Sequence, residues 1–87
     1  LKNATHANRM AKILYAGLKE LPGVQFTQKV ESNQLFLTMP RTVINELLKD
    51  YFFYFWDEAI HEIRFVTSFD TTEADIEELL QSVKRLL

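Results

Sequence analysis

"YFFYFWDEAIHEIRFVTS", residues 51 to 68, decides the fold. Six of its first seven residues are aromatic, too many in succession for a solvated helix, and 51–57 suits a strand. "DEA" at 57–59 turns the chain, and Ile60 to Ser68 reads as a second strand returning beside the first. Strands joined so briefly pair antiparallel. In 51–57, Phe53 and Phe55 fall on one side and Phe52, Tyr54 and Trp56 on the other. Arg64 stands inside the returning strand, between Ile63 and Phe65. A half-buried strand sends every second residue to solvent, so a surface charge or an intradomain ion pair would explain it. The other explanation is an anionic ligand.

Working outward, Thr72 and Asp75 make a capping box for a last helix, whose Ile76, Leu79, Leu80, Val83 and Leu87 share one stripe. Upstream, residues 3–20 read as an amphipathic helix, with Ala7, Met10, Ile13, Leu14, Gly17, Leu18 and Leu21 at helical spacing. Gly17 within that stripe predicts close packing against a sheet. "LPG" at 21–23 stops the helix. "VQFTQKV" at 24–30 alternates as a strand, with Gln28 the exception on its apolar face, "ESN" turns, and "QLFLTM" at 34–39 forms the next strand. Pro40 suits the first turn of a helix running through Val43, Ile44, Leu47 and Leu48 to about Asp50.

The predicted class is α+β: a small antiparallel or mixed four-stranded sheet with helices on one face, in the order α-β-β-α-β-β-α, as one domain over residues 1–87. The other face is expected to be apolar too, since Phe36 opposes Leu35 and Leu37 just as Phe52, Tyr54 and Trp56 oppose Phe53 and Phe55. Contiguous exposed apolar surface marks an interface, so the sheet is expected to pack against a larger body.

Composition narrows the function. With no cysteine and two histidines, disulfide stapling is excluded and a structural zinc site is not expected. The lack of cysteine is compatible with a reducing compartment, and a cytoplasmic location is the expectation. Ten basic and twelve acidic side chains give a net charge of −2 without a basic block, which argues against nucleic acid. Acids rather than cations accompany the aromatics of "YFFYFWDEAIHE". No apolar run is long enough to cross a bilayer, and no membrane partner is expected.

"HANRMAKILYAGLKELPGVQFTQKVESNQLFLTMP" followed by "WDE" and "IRFVTSFDTTEADIEELL" resembles the C-terminal small domain of threonine aldolase-like enzymes. These pyridoxal-phosphate (PLP)-dependent lyases, together with β-eliminating relatives, have the aspartate aminotransferase fold, fold type I. The resemblance covers all 87 residues, about the last quarter of such an enzyme. It implies that a large domain precedes Leu1 and packs on the sheet, and that the intact enzyme is a homodimer or homotetramer acting on a small amino acid. It also implies that Arg64 receives the α-carboxylate of the substrate. A guanidinium fork matches a planar carboxylate bidentately, as lysine cannot. The resemblance places the PLP cofactor, its lysine and its phosphate cup on the large domain. The chain alone would then be catalytically silent: its lysines at 2, 12, 19, 29, 49 and 84 do not resemble the cofactor lysine, and Gly17 and Gly23 are isolated.

Asn33 and Gln34 match the turn into the second strand, near the cleft of such enzymes. Asn33 is a candidate substrate contact, although turns ordinarily use asparagine. Ser68 is a second candidate, standing where some classical threonine aldolases carry histidine, a departure that bears on strict aldolase chemistry. Neither His6 nor His61 has catalytic or ligand spacing, and Glu46, Asp57, Glu58 and Glu62 read as solvated acids. Two other readings stay open: an aminotransferase or β-eliminating lyase of the same fold, and a small α+β interaction or regulatory module without catalysis.

Overall fold

The computed structural model describes residues 2–87. Helix α1 (Lys2–Leu18) leads through a short strand β1 (Gln25–Phe26) to β2 (Gln34–Thr38), α2 (Arg41–Leu47), β3 (Tyr54–Asp57), a 3-10 turn (Glu58–Ile60), β4 (Glu62–Val66) and α3 (Glu73–Leu86). The sheet order is β1-β2-β4-β3, and all three pairings are antiparallel. Order and class match the sequence reading, and of the two pairing patterns it left open the sheet is the antiparallel one.

The three helices cover one face. Met10, Leu14 and Leu18 of α1 meet Leu35 and Leu37 of β2, Ile44 and Leu47 of α2, Ile63 of β4 and Val83 of α3 in one fully buried core. The alternation in β2 and β4 is what turns Leu35, Leu37, Ile63 and Phe65 inward together.

Several elements differ from their predicted extent. The strand expected over 24–30 pairs only at Gln25 and Phe26, with Thr27 donating one further amide bond to the Phe36 carbonyl. It is a sheet edge, so no second neighbour holds Gln28 to Val30 in register, and Gln28 is exposed where an apolar residue would have anchored it. The helix at 41–47 stops short of Asp50, and Pro40 sits at its N-cap rather than inside its first turn. Gly17 packs against a helix, not the sheet: a Cβ there would lie 2.5 Å from Leu80 Cδ1, so its bareness lets α1 and α3 approach.

Gly23 takes the left-handed conformation (φ 84°) that the stop after α1 requires, and His61 does the same (φ 58°) in closing the turn into β4. Histidine is one of the few side chains enriched there.

The predicted capping box forms. The Asp75 amide donates to Thr72 Oγ1 at 3.1 Å, and the Thr72 amide donates to Asp75 Oδ2 at 3.0 Å. Thr72→Ala is expected to cost about 1 kcal/mol, read as a lower urea midpoint with an unchanged slope.

Candidate functional site

The face of the sheet away from the helices carries the candidate site. In register across it lie Phe36 of β2, Arg64 of β4 and Tyr54 of β3, so their side chains project to the same side. Trp56 joins them through a β-bulge: Phe55 pairs with Ile63 and Asp57 with Glu62, leaving Trp56 as the extra residue. The apolar character expected of this face is there. Phe52 is 84% exposed, Trp56 54%, Tyr54 51% and Val66 50%.

Arg64 is half-buried at the centre of this patch. Its guanidinium carbon lies 5.4 Å from the ring centroids of both Tyr54 and Trp56. Its Nε is buried and has no hydrogen-bond partner. Among the described residues Arg64 enters no ion pair; the pairs there are Arg41–Glu58 at 3.1 Å and Lys49–Glu46 at 2.9 Å. Arg41 makes the contrast plain. It too lies over an aromatic ring, 4.6 Å from that of Phe55, but its guanidinium is occupied by Glu58 and Asn45. A buried donor without a partner costs about 1–3 kcal/mol, and no ion pair among the described residues accounts for Arg64.

The acid nearest in sequence on the same face, Glu62, is buried and accepts from the Thr27 hydroxyl of the β1 edge. It is not the solvated acid expected from sequence. The 27–36 connection bends back to place Thr27 over it, a contact invisible in local patterning.

Asn33 and Ser68 lie beyond the paired ends of β2 and β4. The Asn33 side-chain amide donates to the Thr67 carbonyl at 2.8 Å, and the Asn33 carbonyl accepts from the Thr67 amide at 3.0 Å. Thr67 is buried, and its hydroxyl donates to the Ala7 carbonyl of α1 at 2.6 Å. Ser68 donates to Asp70 Oδ1, while its amide donates to Thr71 Oγ1 at 2.9 Å. His6 Nε2 lies 2.6 Å from the Thr71 carbonyl and, as its donor, ties α1 to the same loop. The structure thus separates Arg64 from Asn33 and Ser68, whose side chains are engaged within the chain.

The donor set around Arg64 is one guanidinium among aromatic rings, which fits a carboxylate. The lysines at 12, 19, 29, 49 and 84 are all solvent-exposed in this domain. Among the described residues no three His, Asp or Glu side chains gather as a metal would require. No described helix is long and apolar enough to cross a membrane.

No family model matches the chain. Over all 87 residues it is 30% identical to a low-specificity L-threonine aldolase from Pseudomonas sp. (strain NCIMB 10558), of which it covers 25%. Among solved structures it superimposes on the Leishmania major threonine aldolase with a TM-score of 0.81 and 34% identity, over 93% of this chain and 24% of that one. The cystine C–S lyase C-DES, with glycine covalently linked to its PLP cofactor, gives a TM-score of 0.78 at 19% identity, over 95% and 23% of the two chains. The chain is a domain of the fold-type-I PLP-dependent superfamily. Like other comparisons at that level of identity, the match to C-DES speaks for the fold alone. The superfamily domain described here spans about a quarter of the length of the relatives it matches.

Proposed function

We propose that this chain is the substrate-carboxylate-binding small domain of a PLP-dependent lyase that cleaves β-hydroxy-α-amino acids, such as threonine or allo-threonine, to glycine and an aldehyde. The observation that carries the reading is Arg64: a guanidinium on the helix-free face, its Nε buried and unpartnered, with no acid among the described residues paired to it. The similarity to two threonine aldolases over nearly the whole chain supports the choice of reaction within the superfamily.

In this reading the helix-free face packs toward the rest of the intact polypeptide, which carries the cofactor, and the aromatic patch becomes interior. When bound, the cofactor supplies the electron sink for cleavage next to the α-carbon. Arg64 does the positioning. Its fork takes the two carboxylate oxygens, and the strand beneath holds the fork still, which fixes the rotation of the substrate about its α-carbon. Asn33 and Ser68 serve this site from behind, by fixing the loop that leaves β4, which Thr67 and His6 tie to α1. The 87-residue chain alone binds at most a carboxylate and turns nothing over.

The test is to purify the full-length polypeptide, add allo-threonine, and assay the products. Glycine and aldehyde in equal amounts are expected. Ammonia and a 2-oxo acid would shift the assignment to an eliminating lyase of the same fold. No product of either kind with PLP supplied would overturn the enzymatic reading and favour an interaction module.

A further inference from the structure

Something must hold Arg64 in place before any substrate arrives. Among the described residues it has no acid partner, and a long side chain left free loses rotamer entropy on binding, which weakens affinity. We infer that Trp56, together with Tyr54, is the positioning residue for the Arg64 guanidinium; the inference rests on the carboxylate-binding role proposed above.

Three observations carry it. First, Trp56 is placed by a defect in the ladder. Without the bulge, the residue after Phe55 would pair directly with Glu62; with it, that place goes to Asp57 and Trp56 is re-aimed. Second, β2 and β3 flank β4 on opposite sides, so they stand about 10 Å apart, yet the Phe36 and Trp56 ring centroids are 5.0 Å apart in an edge-to-face contact. The two rings therefore lean together over β4, on the face to which Arg64 projects. Third, the guanidinium carbon is within cation–π range of both Trp56 and Tyr54. Rings of this kind fix the plane of a guanidinium without occupying its N–H donors, as a carboxylate partner would. The fork is held and still vacant for a ligand.

The consequence is measurable on the intact enzyme with allo-threonine. Because the rings hold Arg64 equally before and during reaction, Trp56→Ala is expected to raise KM about tenfold with kcat changed less than about threefold. Trp56→Phe, which keeps a π-face, should stay within about threefold of wild type. In an Arg64→Met background, where there is no cation to position, Trp56→Ala should add less than about twofold.

A second readout needs no turnover. In the 87-residue chain, the Arg64 Hε proton resonance is expected upfield and slowly exchanging, and to lose both properties in Trp56→Ala. A wild-type resonance at its random-coil position would overturn the inference. So would a Trp56→Phe enzyme as impaired as Trp56→Ala, or an equal Trp56→Ala effect in the Arg64→Met background. Arg64→Met with undiminished kcat/KM would instead remove the carboxylate-binding role itself. Damage from Arg64→Met with none from Trp56→Ala would remove only the positioning role.

Discussion

Replacing Arg64 by lysine in the intact enzyme is expected to lower kcat/KM for its amino-acid substrate by about thirty- to a thousandfold while the cofactor stays bound. The charge survives this change, so the loss isolates geometry. A lysine ammonium is a point charge on a flexible stem and cannot offer two parallel donors to the two carboxylate oxygens. Losing one charge-assisted bond and the fixed orientation it gives amounts to about 2–4 kcal/mol. Both kcat and KM should suffer, since a swivelling carboxylate spoils alignment of the scissile bond as well as affinity. Steady-state kinetics give the loss, and the visible absorption of the purified protein reports whether PLP is retained. An Arg64→Lys enzyme with wild-type kcat/KM would show that the carboxylate is received elsewhere. Loss of cofactor absorption would mean the substitution had disturbed more than the substrate contact.

The second large effect is on stability. Ile63 is fully buried at the middle of β4, paired with Leu37 on one side and Phe55 on the other. Ile63→Ala removes three methyl or methylene groups at a place where two strands and the helical layer hold the walls apart. The expected cost is about 2–5 kcal/mol. A small domain has about 5–15 kcal/mol in total, so the variant should be marginal at best. Urea unfolding of the 87-residue chain followed by circular dichroism measures it, with Thr72→Ala as the internal reference. A midpoint shift no larger than that of Thr72→Ala would mean the core around β4 collapses to fill the void.

Much of this architecture was legible in local pattern. The two-residue period of "QLFLTM" and "IRFVTS" turned Leu35, Leu37, Ile63 and Phe65 to one side and Phe36 and Arg64 to the other, as observed. The Thr72–Asp75 box was readable because both partners are three residues apart. What escaped depends on contacts distant in sequence. Strand β1 is short because nothing pairs with its outer edge, a fact of sheet order rather than of propensity. Glu62 is buried because Thr27, thirty-five residues earlier, reaches it. Gly17 faces Leu80 rather than the sheet because α1 and α3 lie side by side. At the site, period alone could place Arg64 on the open face, but not show that its Nε would lack a partner. That required knowing where every acid went.

The bulge at Trp56 also bears on the open edge of the sheet. Strand β3 is an end strand of the sheet, and the run Phe52 to Trp56 is wholly aromatic, without proline, glycine or charge. A straight edge of that composition would be a template for another chain to extend the sheet, the first step toward cross-β fibres. The extra residue interrupts the row of outward amides and carbonyls and twists the strand where it is greasiest, and Asp57 and Glu58 follow at once with charge. Straightening the edge by deleting Trp56 should therefore raise the chain's tendency to aggregate through its own sheet.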